Sequence, residues 1–341
     1  QRLLHQRLTL GLRRRPPGLP GARRGVPSGA GATSRSAVSP ASVAGASATS
    51  YGTSGATALK SETAPEREVH ERALQAQESL VQAGARPPRP EPQGRKEKTF
   101  QRGGLVQVEA QQADIVFCCV GNDDDLRSVT LGADGAFAGM KAGAVLVDHT
   151  TASADVAREI YAAAKNLGIH FIDAPVSGGQ GGAQNGLLTV MCGGDAPVFE
   201  RVKPVAMAFS RAFTLMGEPG AGQLTKMVNQ ICIAGLVQGL SEAIAFGQKA
   251  GLDMNLVLDV IGKGAAQSWQ LDNRGKTMVA DKFDFGFAVD WMRKDLGLVF
   301  DEAKRNGAVL PVTQMVDQFY GDVQKMGGNR WDTSSLIKRL R

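Results

Sequence analysis

Short runs of apolar residues alternate with amphipathic stretches between residues 105 and 218. The runs are rich in β-branched side chains and lie at 115–120, at the beginning of 144–153, at 170–176 and at 187–194. Runs of this length that are apolar on both faces are typical of strands inside a parallel sheet. The pattern predicts a doubly wound α/β sheet of the Rossmann type, which binds ligands at the carboxyl ends of its strands.

Polar residues mark where helices begin between these strands. Asp123, Asp124 and Asp125 offer an N-cap and an acidic first turn for a short helix, and Ser153 offers a cap for the next one. The strand signal stops after Gly217, and the remaining apolar positions recur with helical spacing. We therefore expect a partial α/β domain at 105–218 and an all-helical domain at 219–341.

Residues 220–250 predict one long helix, about 45 Å in length at 1.5 Å per residue. Few charged residues lie on any of its faces, which predicts that it is buried nearly all round. Gly235 and Gly239 lie inside it at a cost of about 1 kcal/mol each relative to Ala, which predicts close packing there. Because one small domain offers too little cover for such a helix, we expect a homodimer or homotetramer formed through the helical domain.

One face of the long helix is polar at its beginning and apolar further on. Its polar members share an arc of roughly 100° and are Gln223, Lys226, Asn229 and Gln230. The same face continues as Ile233, Val237, Leu240 and Ile244, all typical of a core. Burial of Lys226 would lower the pKa of its amine toward a range useful for acid–base catalysis. The alternative is a solvated first turn from which Lys226 extends into water.

Residues 1–104 are rich in Gly, Pro, Ser, Ala and Arg and have no sustained apolar periodicity, so we expect no folded domain there. Three interpretations stay open for the first sixty residues. The first is a disordered tail. The second is an organellar transit segment, because the stretch is rich in Arg and Ser and free of acidic residues. The third is an artefact, because the sequence begins with Gln1. A cytoplasmic location is expected, with a mitochondrial one as the alternative if the transit segment is genuine.

The net charge of +6 belongs to the N-terminal part of the chain. Residues 1–61 contain nine Lys or Arg and no Asp or Glu, whereas residues 105–341 contain 22 basic and 26 acidic residues. The predicted body therefore gives no reason to expect binding of nucleic acid. No run approaches 18 apolar residues, so no membrane span is expected.

Cysteine and histidine usage gives no sign of a metal site. The four cysteines have no metal-binding spacing, and the four histidines form neither HxxxH nor HExxH. All four cysteines fall in apolar segments, which predicts buried, reduced thiols: Cys118, Cys119, Cys192 and Cys232.

Three motifs follow one another in the order DAPVSGG, GAGQLTKMVNQ and WMRKDLGL. In this order and at this spacing they resemble the β-hydroxyacid dehydrogenase family, which includes 3-hydroxyisobutyrate dehydrogenase and tartronate semialdehyde reductase. The resemblance covers roughly residues 105–341. It implies hydride transfer between NAD or NADP and a small 3-hydroxy acid or its semialdehyde, with a small carboxylate as substrate.

The resemblance also implies roles for individual residues. Lys226 would donate a proton to the substrate carbonyl during reduction and take it back during oxidation, and Asn229 would hold the substrate oxygen. Ser177, Gly178 and Gly179 would form the loop that binds the substrate carboxylate, with an ordinary turn after a strand as the alternative.

Five residues are implied to line the cofactor: Val120, Gly121, Asp125, Thr151 and Lys294. An acidic side chain near a pyrophosphate is repelled, so helix capping alone is the alternative for Asp125. A surface lysine is the alternative for Lys294. Trp269 and Phe287 are either determinants of substrate size or core residues.

The strand–GxGxxG–helix unit that opens this family has no match in the sequence. Gly29, Gly31 and Ser34 reproduce half of the glycine pattern, but no apolar strand precedes them. The sequence thus predicts a Rossmann-like sheet that lacks its first βαβ unit, and a weakened cofactor site. The alternative function is a non-catalytic, dimerising family member with a defective cofactor site.

Overall fold

The computed structural model of the chain describes residues 110–341. The predictions for residues 1–104, including the missing first βαβ unit and the transit segment, lie outside the described residues. Six strands are present in the described part: β1 (Ile115–Cys118), β2 (Val145–Asp148), β3 (His170–Asp173), β4 (Val176–Ser177), β5 (Leu188–Gly194) and β6 (Ser210–Gly217). The predicted first three strands are each present; β2 ends at Asp148 as expected, whereas β1 and β3 end two and three residues earlier than expected.

Five helices lie between these strands: α1 (Asp123–Thr130), α2 (Ala136–Gly139), α3 (Ala154–Asn166), α4 (Gly179–Gln184) and α5 (Ala196–Ala206). The side chain of Ser153 caps α3 by accepting a hydrogen bond from the Val156 N–H, as predicted. Helix α1 is capped by Asn122, one residue before the predicted position.

The sheet is mixed rather than wholly parallel. Strands β1, β2 and β3 are adjacent and parallel, but β5 runs antiparallel to β3 and β4 and parallel to β6. The predicted Rossmann-like parallel sheet is thus confirmed for β1, β2 and β3, whereas β5 runs in the opposite direction to them. Only the short helix α4 separates β4 from β5, and a parallel crossover needs about a dozen residues or more.

Strand β6 and helix α5 were not anticipated from the sequence. Strand β6 is the last strand of the sheet on its side, and Arg211, Thr214 and Met216 are exposed along it. An edge strand with one solvated face has no continuous apolar run, which is the signal that identified the other strands.

Both faces of the sheet are covered, as the apolar runs predicted. Along β2, Leu146 packs into a core with α1 and α3, whereas Val145 and Val147 pack into a second core with α5. All three side chains are fully buried.

The rest of the chain is helical: α6 (Ala221–Lys249), α7 (Met254–Ile261), α8 (Trp269–Val279), α9 (Val289–Asn306), α10 (Pro311–Lys325) and a 3₁₀ helix (Thr333–Leu340). Helix α6 begins after Gly220 and ends before Gly251, and both glycines have positive φ. Its first part contacts β5 and β6, and it also contacts α8, α9, α10 and the 3₁₀ helix. It is thus the element through which the sheet and the helical part meet.

Helix α6 is not buried all round, which corrects the expectation from its composition. Val237 and Ile244 are fully buried, but Val228, Leu236 and Phe246 on another face are 48–74% exposed. A Cβ built at Gly235 or Gly239 would have no atom within 4 Å, so neither glycine is explained by close packing within this chain.

Two of the four cysteines also differ from the prediction of buried thiols. Cys118 and Cys192 are buried, whereas Cys119 and Cys232 are exposed. Cys119 lies just beyond the end of β1, and Cys232 lies on the exposed face of α6.

By length and composition alone, α6 is apolar enough to cross a membrane, and it is the one such helix among residues 110–341. Half of its most apolar stretch is buried inside the fold, and core helices of folded domains meet the same criterion.

Candidate active site

The carboxyl ends of the three parallel strands bring three loops to one edge of the sheet. The loops after β1 and β2 contain the predicted cofactor residues Val120, Gly121 and Thr151, and the chain after β3 leads into β4, which ends at the predicted substrate residue Ser177. The Val120 N–H donates to the hydroxyl of Thr150 at 3.0 Å, which ties the first loop to the second. Thr150 is fully buried. Val120 and Gly121 therefore lie beside Thr151, where cofactors bind in sheets of this type.

Asp125 lies in the first turn of α1 and takes part in capping that helix. Its backbone N–H donates to Asn122 Oδ1 at 2.8 Å, and Asn122 Nδ2 donates to the Asp125 carboxylate at 3.3 Å. This reciprocal pair satisfies exposed groups at the helix start. The capping interpretation accounts for Asp125, and a contact with cofactor stays a prediction.

Lys226 is buried and reaches the substrate loop. Its side chain is on the second turn of α6, only 7% of the residue is exposed, and Nζ donates to the carbonyl of Val176 at 2.8 Å. Burial lowers the pKa of the amine and nearby Lys294 lowers it further, whereas Asp295 opposes both. The solvated alternative for Lys226 is therefore wrong.

The loop that Lys226 reaches has an unusual backbone. Ser177 ends β4, and Gly178 and Gly179 follow with φ of 130° and 61°. Side chains other than glycine rarely adopt these angles. A Cβ at Gly178 would also approach Leu188 to 3.3 Å. The two glycines let the chain turn sharply directly beside the Lys226 amine.

A chain of polar contacts runs from Asn229 to the cofactor loop. Asn229 Nδ2 donates to Gln230 Oε1 at 2.8 Å, and Gln230 Nε2 donates to Asp295 Oδ2 at 2.7 Å. Asp295 pairs with Lys294 Nζ at 2.8 Å, and that ammonium also donates to the carbonyl of Thr151. Lys294 is thus bound to the loop after β2 and to Asp295 of its own helix, and it is no free surface lysine.

Lys226, Lys294 and Asp295 form a charged cluster at the site. Asp295 is 2% exposed and lies near both lysine side chains. Burial raises the pKa of Asp295, and both lysines counteract the rise. When both lysines are protonated, the two cations outnumber the one carboxylate of this cluster, which favours an anionic ligand.

Sequence reasoning gave no role to several residues that the structure places at the site. Gln223 is fully buried, donates to the Thr150 carbonyl at 2.8 Å and accepts from the Ala152 N–H at 3.1 Å. Gln223 and Gln230 lie on the same helical arc as Lys226, and Asp295 follows Lys294 directly in its motif. Their position on that arc was the signal that could have predicted a role for the two glutamines at the site.

Trp269 and Phe287 are 45% and 37% exposed, so neither is a core residue. Among residues 110–341, no group of three or more His, Cys, Asp or Glu side chains is placed to hold a metal ion.

Two protein-family models match consecutive parts of the chain. The NAD-binding domain of 6-phosphogluconate dehydrogenase matches residues 68–217, and the NAD-binding domain of NADP-dependent 3-hydroxyisobutyrate dehydrogenase matches residues 220–340. An oxidoreductase of unassigned substrate from Shewanella frigidimarina is 67% identical over 231 residues, which are 68% of this chain and 79% of the relative. The chain belongs to the β-hydroxyacid dehydrogenase family.

Two further comparisons agree with membership of this family. The 2-hydroxy-3-oxopropionate reductase of Escherichia coli K12 is 34% identical over 242 residues, which are 70% of this chain and 83% of that enzyme. The crystal structure of 3-hydroxyisobutyrate dehydrogenase from Salmonella typhimurium superimposes with a TM-score of 0.65 at 30% identity, covering 80% of this chain and 94% of that one.

The family fixes the reaction type and the cofactor class. The chain is an NAD- or NADP-dependent oxidoreductase of the hydroxyacid dehydrogenase type. The described residues fit such a cofactor, because three parallel strands end at one edge of the sheet and Lys294, from helix α9, contacts the Thr151 carbonyl there.

Proposed function

We propose that this protein interconverts a small 3-hydroxy acid and its semialdehyde, with Lys226 as the catalytic acid–base and the Ser177 loop as the carboxylate site. The observation that carries the proposal is the burial of Lys226 with its amine 2.8 Å from the carbonyl of Val176, the residue just before Ser177. A proton-transfer group and an anion-binding turn are therefore neighbours at the edge where the nicotinamide cofactor binds.

The nicotinamide, when bound, accepts or supplies the hydride. Lys226 handles the proton of the substrate oxygen: the neutral amine takes it from the hydroxyl during oxidation, and the ammonium returns it to the carbonyl oxygen during reduction. Burial favours the neutral amine, which is the form that oxidation requires. Positioned proton transfer of this kind typically contributes about 10²- to 10⁴-fold in rate.

Asn229 and Asp295 support this step from the helical side. Asn229 lies one turn after Lys226, and its amide is oriented by Gln230, which Asp295 orients in turn. Lys294 and the protonated form of Lys226 attract a carboxylate substrate. The name of the Escherichia coli relative specifies such a compound, since 2-hydroxy-3-oxopropionate carries both a carboxylate and an aldehyde.

We also propose a homodimer or homotetramer that covers the exposed face of α6. Val228, Cys232, Leu236 and Phe246 are exposed there, and Gly235 and Gly239 lie between them. Apolar side chains clustered on one helix face mark an interaction surface, and small residues allow two helices to approach closely.

Steady-state kinetics of the Lys226→Ala variant tests the function. The purified full chain is assayed by nicotinamide absorbance with NAD and with NADP against 3-hydroxyisobutyrate, 3-hydroxypropionate, glycerate and serine. We expect turnover of at least one of these acids and a loss of about 10²- to 10⁴-fold in kcat for Lys226→Ala.

Lys249→Ala is the matched control, because Lys249 is exposed in the last turn of the same helix. It should keep wild-type turnover. Near-normal kcat in Lys226→Ala would remove Lys226 from the mechanism. Failure of the wild type to bind either cofactor would favour the non-catalytic, dimerising alternative.

A further inference from the structure

Helix α6 begins on a buried carboxylate that belongs to the sheet. Asp173, the last residue of β3, is fully buried, and its two oxygens accept from the backbone N–H of Gly220 at 2.8 Å and of Gln223 at 3.0 Å. The first N–H groups of a helix have no partner within it, and the N-terminus carries partial positive charge. An acidic side chain from another element supplies both the acceptor and the opposite charge.

The contact leaves no spare room on either side of the carboxylate. A Cβ built at Gly193 would lie 2.5 Å from Asp173 Oδ1, and one built at Gly222 would lie 2.7 Å from Oδ2 and 2.4 Å from the carbonyl of Met191. All three distances are shorter than real contacts allow. The helix start is therefore held against β3 and β5 at a distance that only glycine permits.

Gln223 extends this contact to the cofactor loop. Its backbone N–H binds Asp173, while its side chain binds the carbonyl of Thr150 and the N–H of Ala152. We call Asp173 and Gln223 together the α6 clamp. The clamp joins three segments: the end of β3, the loop after β2 and the first turn of α6.

Both partners of the catalytic contact lie close to the clamp along the chain. Lys226 is three residues after Gln223, a rise of about 4.5 Å along the helix. Val176, whose carbonyl accepts a hydrogen bond from the Lys226 amine, is three residues after Asp173. Any shift of the helix relative to β3 must therefore change the distance between the amine and the Ser177 loop.

We propose that Asp173 and Gln223 are positioning residues for proton transfer, because they fix the register between the helix that carries Lys226 and the strand that carries the substrate loop. Neither side chain has to touch the substrate. This inference rests on the proposed function, since it assigns both residues an effect that acts through Lys226.

The electrostatics of Asp173 agree with this role. Burial raises the pKa of the carboxyl to about 6, and the backbone N–H groups of Gly220 and Gln223 act against the rise. The carboxylate is thus ionised at neutral pH, where it pairs with the helix N-terminus.

A double-mutant cycle separates positioning from mere structural support. Asp173→Asn keeps the size of the side chain but replaces one acceptor oxygen with an amino group that cannot accept a hydrogen bond. We expect kcat to fall about 10- to 100-fold, because a displacement of about 1 Å can cost 10²-fold. Cofactor affinity, measured by tryptophan fluorescence, should change less than about twofold.

In the Lys226→Ala background the same substitution should change the residual kcat by less than about twofold, because the group that it positions is gone. Residual rates are measured in single turnovers with enzyme in excess. The solvent deuterium isotope effect on kcat should rise in the single variant Asp173→Asn, since proton transfer becomes slower, and should not rise further when Asp173→Asn is added to Lys226→Ala.

Gln223→Met is the second variant, because it keeps the buried volume and the backbone N–H but removes both side-chain hydrogen bonds. We expect its kcat to fall about 5- to 20-fold, less than in Asp173→Asn. In the Lys226→Ala background it should cause no further fall in kcat. This variant keeps the test decisive if Asp173→Asn does not fold.

The outcomes distinguish the two proposals. Equal losses from Asp173→Asn or Gln223→Met with and without Lys226 would overturn the positioning role while leaving the proposed function intact. Wild-type turnover in Lys226→Ala alone would overturn the proposed function first.

Discussion

Helix α6 buries polar residues on one face and exposes apolar residues on the other, which is the reverse of what is expected for a helix in an isolated domain. The face toward the sheet and the other helices carries Gln223, Lys226 and Gln230, all nearly or fully buried. The opposite face carries Leu236 and Phe246, which are 48% and 74% exposed. Polar groups can be buried when each has a bonding partner, and here the loop after β2, strand β4 and helix α9 provide the partners.

This contrast shows that the burial of a side chain on α6 depends on whether the rest of the chain offers it a contact, and not on its hydropathy alone. The inward face has partners within the chain because the site is built there. The outward face has none within the described residues, which is why we expect a second copy to cover it. Two substitutions beyond Lys226 and the α6 clamp test this difference, and a third, in β2, tests a buried polar group that lacks a partner for one of its oxygens.

The largest effect is expected from Asp295→Asn on the inward side. Asp295 opposes the fall in the pKa of Lys226, so removal of its charge should lower that pKa further. The alkaline limb of kcat/KM for reduction, which needs the ammonium, should move to lower pH. We also expect kcat/KM at the optimum to fall about 10- to 100-fold, because Gln230 and Lys294 lose a charged partner.

Asp301→Asn is the control for this change, because Asp301 is an exposed carboxylate on the same helix α9. It should leave the pH profile unchanged. A profile for Asp295→Asn that coincides with the wild type would show that Asp295 does not tune Lys226.

Leu236→Glu tests the outward face. Two symmetry-related copies would each bury an unpaired carboxylate, which typically costs about 3–5 kcal/mol. We expect the dissociation constant of the oligomer to rise at least about a hundredfold, so that light scattering detects monomers at micromolar concentration. Gln248→Glu, which adds the same charge at an exposed position on another face of α6, should leave the mass unchanged. A wild-type chain that is monomeric at all concentrations would contradict the proposed assembly.

The smallest effect is expected from Asp148→Asn, at a buried group that is incompletely bonded. Asp148 is fully buried, and its Oδ2 has no hydrogen-bond partner in the described part of the chain. Burial raises the pKa of this carboxyl to about 7. The folded protein therefore keeps a proton that the unfolded chain loses near pH 4, and its stability falls as the pH rises from about 4 to 7.

The neutral amide of Asp148→Asn removes this contribution. We expect Tm to equal that of the wild type near pH 5 and to exceed it by about 2–4 °C near pH 8. Calorimetry at both pH values measures the difference. A Tm difference that is the same at both pH values would show that Asp148 is not protonated in the folded protein.

The sequence was sufficient for the parts of the fold that depend on local pattern. Continuous apolar runs predicted β1, β2 and β3, and the glycines beside α6 predicted its ends almost to the residue. The arc that contains Lys226 was correctly predicted to continue into a core, since Val237 and Ile244 are fully buried. These features need only the chain's own periodicity.

What could not be predicted depends on distant partners. An apolar run does not encode strand direction, so the reversal of β5 was missed, and β6 lacks a continuous run altogether. The importance of Gln223 and Asp295 follows from contacts with residues more than 60 positions away in the chain. The exposure of Cys232 and Leu236 depends on what covers α6, which periodicity does not specify.

The two glycines beside Asp173 limit how this protein can be altered for new substrates. A single methyl group at Gly193 or Gly222 would collide with the carboxylate, and at Gly222 also with the Met191 carbonyl, and would force sheet and helix apart. Variation at this joint would therefore misplace the amine of Lys226 before it changed selectivity. Trp269 and Phe287, which are predicted as determinants of substrate size and are partly exposed, are the positions to vary instead.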